Sequence, residues 1–575
     1  MKKLLMLMAA FGVMFYLSSC GDDDDGDDPT PPAGGLSISG IPANASLQAG
    51  ATLTVNDVNL TFEDGFGSFE LVVNEGDPVS LDDLVTDQTG TSATITITFP
   101  TDVDLIGTNT LEFTLTDSDN DQVSVTHTLV VGAILPTFTV IGANENKGPD
   151  EDDVVEYVQN QVTGVINTDF TFTNDVVWLL NGRVIVDNGA TLTIEPGTIV
   201  KGSTGQGALS SVLLVAIGGM LDAQGTAQDP IVFTSVNDNI NIAGQPYFNG
   251  TSIIPGTDDS ADGFTSTLDV DIDRGLWGGV VILGDAPVSA DAATPVVEGI
   301  PTTVPQAVYG GTNAAHNGGS LTYASIRFTG TQLGPGNELQ GLTLGGVGSG
   351  TTINHVESIA SADDGIEIFG GTVNITNFIV WGQDDDAYDV DQAWTGLIDN
   401  FVAVGGVTPA SAFELDGPEG AATGTGRFIN GTIQGGDVDG TGPDPDTFAN
   451  LAIDLRDDAV YDIQNVYFFD FNDEFLVNFN DNTPSQDNYT GGETILANLE
   501  FAAADFAAGR TIAELLSNVD PANDENRIPA STAAQTAFGD DASIVTTQTV
   551  GADLSGFGWS YTSVQGKLDP FTSIE

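Results

Sequence analysis

Five segments of the chain superimpose without a gap: INHVESIAS from Ile353, ITNFIVWGQ from Ile375, IDNFVAVGG from Ile398, FINGTIQGG from Phe428 and IQNVYFFDF from Ile463. Their first position is always large and apolar, and their third is His355, Asn377, Asn400, Asn430 or Asn465. A second phrase follows four of them: DGIEI from Asp364, DAYDV from Asp386, SAFEL from Ser411 and, after the insertion GDVDGTGPDPDTF, LAIDL from Leu451. A looser copy, DEFLV, begins at Asp473. From Asp364 to Asp386 is 22 residues and from Asp386 to Ser411 is 25, too short for a domain and the right length for one coil of a solenoid. Strand-like alternation at that period predicts an all-β parallel β-helix, each coil burying its apolar side chains on the coils above and below. Stacked Asn at one turn position lets side-chain amides hydrogen-bond along a column. His355 shares that phase and is read as a member of the ladder rather than a catalytic base.

Earlier coils are visible from Val176, Ser210, Gly275 and Gly319, and residues 236–274 and 286–318 are insertions that a solenoid places as loops on one face. The β-helix is expected over 160–485. Beyond it the repeat fades, and 486–575 reads as final coils and a cap, with TIAELLSNV as a short helix, GWSYTSVQGKL as a last strand and Trp559 as an anchor. Upstream, residues 36–132 carry short alternating strands at β-sandwich spacing and resemble immunoglobulin-like or cadherin-like modules. The DSDND turn offers Asp117, Asp119 and Asp121 at alternate positions, which suits either Ca2+ or a tight turn. A polar linker, 133–159, joins the two parts.

The amino terminus has two lysines, an apolar run from Leu4 to Leu17 and then LSSC, ending at the only cysteine, Cys20. The run is short for a membrane span, and 1–19 reads as a signal peptide. LSSC resembles a bacterial lipobox, which implies cleavage before Cys20 and acylation of its sulfur. The following GDDDDGDDPTPPAGG, within 20–35, cannot pack a core and reads as an acidic tether. Acidic runs directly after a lipidated cysteine resemble the surface-export signal of Bacteroidota-type lipoproteins. The expected address is the outer membrane, lipid-anchored and exposed on the cell surface.

The phrases GATLTIEPGTIVKG, GLWGGVVILG, LTLGGVGSGTTINHV, DDGIEIFGGTVN and DDDAYDVDQ are similar to those of right-handed, pectin-lyase-like parallel β-helix lipoproteins and surface proteins of Bacteroidota. The resemblance covers about 160–575. It implies a fold and a cell-surface setting, and it carries no activity.

In DGIEI the alternation sends Ile366 and Ile368 inward and Glu367 outward. The same phase puts Glu367, Asp389, Glu414 and Asp454 in one outward column, with Asp364 and Asp386 beside it and Asp391 and Asp416 at the next outward position. Three readings compete. Clustered oxygen ligands without a Cys/His cluster favour a hard cation, Ca2+, on Asp364, Glu367, Asp386, Asp389 and Glu414. A carboxylate pair among Asp364, Asp386 and Asp389 would serve glycoside hydrolysis, although the His-Gly and Arg-Ile-Lys phrases of polygalacturonases are absent. The third is a solvated acidic wall, natural in a chain of 575 residues with 82 Asp plus Glu against 12 Lys plus Arg. That balance, a net charge of -70, argues against nucleic acid as a partner. Lyase chemistry lacks a base in the column, Arg183 and Arg327 falling on other coils. Trp381, at an outward position, and Trp394, in a nearby turn, are candidates for stacking on a sugar. Together these readings favour a non-catalytic surface protein that binds a glycan, cell-surface polymer or surface protein, with a surface-anchored polysaccharide hydrolase as the alternative.

Overall fold

The computed structural model describes residues 36–574 except 49–51, 63–64, 75–77, 87–90, 101–106, 133–136, 144–153, 206–209, 243–246, 249–252, 255–263, 303, 335–336, 408–409, 437–450, 472, 482 and 522. The expected signal peptide and acidic tether, with Cys20, lie outside these residues. The chain divides into two compact units, 1–134 and 135–575.

In the first unit Ser37–Ser39, Thr52–Thr61 and Ser92–Pro100 form an antiparallel sheet. Asn44–Gln48, Phe66–Val73, Val79–Ser80, Gly107–Asp117 and Gln122–Gly132 form a second sheet, antiparallel except where the first of these strands joins the last. Alternation supplies the shared core: Ile95 and Ile97 face in from one sheet, Phe69, Leu71, Phe113 and Leu115 from the other.

The second unit is a continuous parallel stack. Each central coil contributes one short strand and one long one. The short strands Leu342–Gly345, Ile366–Phe369, Tyr388–Asp391, Phe413–Leu415, Ile453–Leu455, Val477–Phe479 and Leu516–Asp520 pair in register. The long strands Gly319–Arg327, Thr352–Ile359, Asn374–Trp381, Leu397–Val404, Gly426–Gln434, Tyr461–Phe469 and Ile495–Ala502 do the same. Each long strand bends at the ladder position, where Tyr323, His355, Asn377, Asn400, Asn430, Asn465 and Asn498 all have positive φ. That backbone explains the residue type, because Asn tolerates the left-handed region better than other side chains with a Cβ. The amides then join: Asn377 donates to Asn354, Asn400 to Asn377, Asn465 to Asn430 and Asn498 to Asn465, at 2.6–3.1 Å. Asn430 departs from the pattern and donates to Asp399. His355 ends the column stacked on Tyr323, ring centroids 4.4 Å apart.

Three expectations are corrected. Residues 133–159 are not simply a linker, since Thr137–Ala143 pairs antiparallel with Val154–Ile166, the strand that enters the helix. TIAELLSNV is a single 3-10 turn, Ile512–Leu515, running into the strand Leu516–Asp520. GWSYTSVQGKL holds the short helix Tyr561–Val564 and no strand. The last thirty residues turn back along the outside of the long strands. Glu500 accepts from the amides of Thr549 (2.7 Å) and Val550 (3.3 Å), Thr432 from Ala552 (2.9 Å), and Glu357 from Tyr561 (2.8 Å) and Thr562 (3.1 Å). This strap covers the outward apolar residues of the long strands, among them Trp381, Val402, Val404 and Phe469.

Candidate functional site: a stacked carboxylate sheet

Ile366 and Ile368 point into the core at 0% exposure, so Glu367 must point out. Register then stacks Thr343, Glu367, Asp389, Glu414, Asp454, Asn478 and Ser517 in one column. Four successive members are acids. Two unscreened charges at the strand spacing of about 4.8 Å repel by roughly 3 kcal/mol at an effective dielectric near 20. Two of the four have local remedies. Glu414 is paired with Arg456, and Asp454 accepts from the side chains of Asn478 (2.9 Å) and Asn480 (3.0 Å). The other two do not: Glu367 Oε2 and Asp389 Oδ1 are buried and have no hydrogen-bond partner among the described residues.

Asp364 and Asp386, at the head of the phrase, do different work. Asp364 Oδ1 accepts from the Asp386 amide (2.9 Å), and Asp386 Oδ1 accepts from the Ser411 amide (2.6 Å) and hydroxyl. Each carboxylate thus closes the backbone of the following coil. On the far side of the column the carboxylate oxygens of Asp391 and Asp416 lie within 4.8 Å of each other, and Arg456 Nε lies 3.0 Å from Asp416 Oδ1.

Burial, with the neighbouring carboxylates second, raises every acid of this sheet that is perturbed. Asp364, Glu367 and Asp389 are held well above the usual carboxylate range. Asp386 is pushed up to about 8 despite the Ser411 hydrogen bonds, Asp391 and Asp454 to about 6, and Asp416 to about 9. Burial of this kind favours the neutral form of each carboxyl.

Carboxylate oxygens gather within 4.8 Å of one another in three sets: Asp363, Asp364 and Asp385; Asp364, Glu367 and Asp389; and Asp389, Asp391 and Asp416. All-carboxylate donors suit a hard cation such as Ca2+. Asp386 and Glu414, expected among the ligands, belong to none of these sets; Ser411 engages the first and Arg456 the second. Asp117, Asp119 and Asp121 are likewise ungathered. Asp117 Oδ1 accepts from the amides of Asp119 (3.0 Å) and Asp121 (2.9 Å), so the DSDND carboxylate serves its own turn.

Beyond Asp391 and Asp416 the surface opens into a cleft of about 550 Å³, lined also by Glu419, Asp457, Asp458 and Asp481. These four acids were not singled out from the sequence. They sit in turns after the short strands, where no periodicity marks which face a side chain takes.

The tryptophans are corrected. Trp381 does leave the coil outward, but the strap buries it: it is 4% exposed, 6.0 Å from the Tyr561 ring, with Lys567 Nζ 5.1 Å from its own ring centroid. Trp394 lies inside the helix at 0% exposure, its Nε1 donating to the Val373 carbonyl at 3.2 Å. Neither offers a face to a sugar. Arg327, also fully buried, is sandwiched by Phe264 and Tyr561 at 4.5 and 4.2 Å and holds the strap.

No curated protein and no solved structure matches the chain. The family model described as pectate-lyase like beta helix domain matches residues 164–245 and 247–546, which is more than half of the chain and includes the ladder, the carboxylate column and the acids of the cleft. The parallel coils and the span of this match agree, and the chain belongs to the family of pectate-lyase-like β-helix domains.

Proposed function

We propose that the protein is a non-catalytic lipoprotein of the outer cell surface, anchored through Cys20, in which an Ig-like module carries a β-helix that binds a glycan or cell-surface polymer with the help of Ca2+. The observation that supports this best is the acidic cleft beside Asp391 and Asp416, continuous with buried carboxylates that lack partners. Such a surface repels an anionic polymer and engages one through a bridging divalent cation; neutral hydroxyls can enter its coordination shell in the same way.

Catalysis is disfavoured by geometry. Asp364 and Asp386 each give one oxygen to a backbone amide and are buried, as is Asp389. Asp391 and Asp416 line the cleft with carboxylate oxygens within 4.8 Å of each other, closer than the roughly 5 to 9.5 Å at which glycosidases hold their two carboxyl groups. Hydrolysis is kept as the second reading because Asp391 and Asp416 both line the open cleft, where burial raises both carboxyls.

The test is native electrophoresis of the full-length protein through gels containing neutral or acidic polysaccharide, with Ca2+ or with EGTA, stained afterwards for polymer. Retardation in Ca2+ without clearing, lost in Asp416→Asn, is the expected result. A cleared zone that disappears in Asp416→Asn would make the protein a hydrolase, and free migration in every gel would remove polymer binding.

A further inference from the structure

The carboxylate sets on the sheet overlap in a way that one ion cannot satisfy. Asp364, Glu367 and Asp389 form one set and Asp389, Asp391 and Asp416 another; only Asp389 is common to both. Two oxygens on a single Ca2+, at about 2.3–2.6 Å each, can lie no more than roughly 5 Å apart, which fits either set alone. We infer that the sheet holds two hard divalent cations side by side, an inner one on Asp364, Glu367 and Asp389 and an outer one on Asp389, Asp391 and Asp416, with Asp389 shared between them.

Acids crowded together are common on this chain, and crowding alone would not carry the inference. What sets these apart is that Glu367 is 4% exposed and Asp389 9%, and each aims an unpartnered oxygen into the cluster. The remaining set, Asp363, Asp364 and Asp385, shows no such oxygen. Gln340 donates to Asp363 at 3.0 Å, and none of the three carboxylates has a buried oxygen without a partner. It is assigned no ion.

The two sites differ in access. The outer one opens on the acidic cleft. The 286–318 insertion docks next to both through Gln392, the residue after Asp391: Tyr309 donates to Gln392 Oε1 (3.1 Å), the Ser289 amide to its carbonyl (3.0 Å), and Gln392 Nε2 to Glu419 (3.0 Å). The insertion contains no Lys or Arg. It brings Glu298, whose charge acts on Glu367, so docking adds to the negative potential that a cation would relieve. Arg456 is occupied by Glu414 and Asp416. An ion in the inner site would therefore hold the insertion against the sheet, and through Asp389 its presence would set how the outer ion binds.

This deepens the proposed function and rests on its reading of the sheet as a cation surface, though not on any polymer. The experiment is equilibrium dialysis of the full-length protein against radioactive Ca2+ at about 0.15 M NaCl, where loose surface association is screened, with thermal midpoints recorded in Ca2+ and in EGTA. Relative to the unaltered chain, Glu367→Gln should hold one ion fewer, Asp416→Asn one fewer and Asp389→Asn two fewer. Glu367→Gln should also unfold no earlier than the unaltered chain in EGTA, since it removes an unpartnered charge. Loss of a single ion in Asp389→Asn would separate the sites and overturn the shared carboxylate. Ion counts equal in all four proteins, or an earlier midpoint for Glu367→Gln in EGTA, would overturn the inner site. Polymer retention lost while the ion counts behave as stated would remove only the glycan reading.

Discussion

The same coils carry two stacked polar columns, and they are built on opposite terms. At the bends of successive long strands Asn mostly donates to Asn, with Asn430 turning to Asp399 and Asn400 accepting from the Asp553 amide, so each amide finds a partner of the opposite kind. On the short strands Glu367 stacks on Asp389 and Asp389 on Glu414, all acceptors when ionised, with no donor between the first two. One column satisfies itself by repetition. In the other, repetition compounds the cost, so the stability of that face depends on what the solution supplies. A fold that can stack neutral amides on one edge and carboxylates on another shows that the second is no requirement of the solenoid.

The contrast predicts opposite signs for substitutions on the two faces. The largest loss is expected at Trp381→Ala under the strap, about 3 kcal/mol from the emptied contact with Tyr561 and its neighbours, with polymer retention unchanged. Lost retention with an unchanged unfolding midpoint would instead restore Trp381 as a binding residue. Glu357→Ala should cost about 2–3 kcal/mol, because the Tyr561 and Thr562 amides lose a buried acceptor. Limited proteolysis near 549–562 should report strap release in that variant before the helix unfolds. Asn400→Ala removes bonds to Asn377 and Asp553 and places Ala at φ 60°, for about 2 kcal/mol; Asn400→Gly should lose less, since only the bonds go. Equal losses would show that backbone strain is not what selects Asn.

On the acidic face the sign reverses, and Glu367→Gln in EGTA should raise stability by about 1 kcal/mol. The pH dependence follows the same logic. A carboxyl whose folded pKa is raised is fully tolerated below its unfolded value near 4 and destabilises as pH rises through the folded value. Without divalent cations the helix should therefore lose stability progressively between about pH 4 and 9, as Asp391 and Asp454 near 6, Asp386 near 8 and Asp416 near 9 ionise. Denaturant midpoints that rise with pH over that window would contradict the burial of these acids.

Much of this molecule is legible in its sequence because a solenoid makes local period and global register the same thing. A strand alternates by two, a coil repeats by 22 or 25 residues, and the column Glu367, Asp389, Glu414, Asp454 can be written down without coordinates. The ladder was legible for the same reason, although its left-handed backbone was not. What a residue's outward direction meant was hidden. Trp381 and Glu367 both leave their coils outward, yet the first is covered by a strap about 180 residues later in the chain and the second is buried at 4% exposure. Asp386 and Glu414 repeat in phase with the ligand candidates but are claimed by Ser411 and Arg456. Periodicity, a property of neighbours in the chain, thus determined the coils, the columns and the excess of negative charge. Only the tertiary structure decided which acids were left without partners and which aromatics were sealed, because both depend on contacts between segments whose separation no repeat encodes.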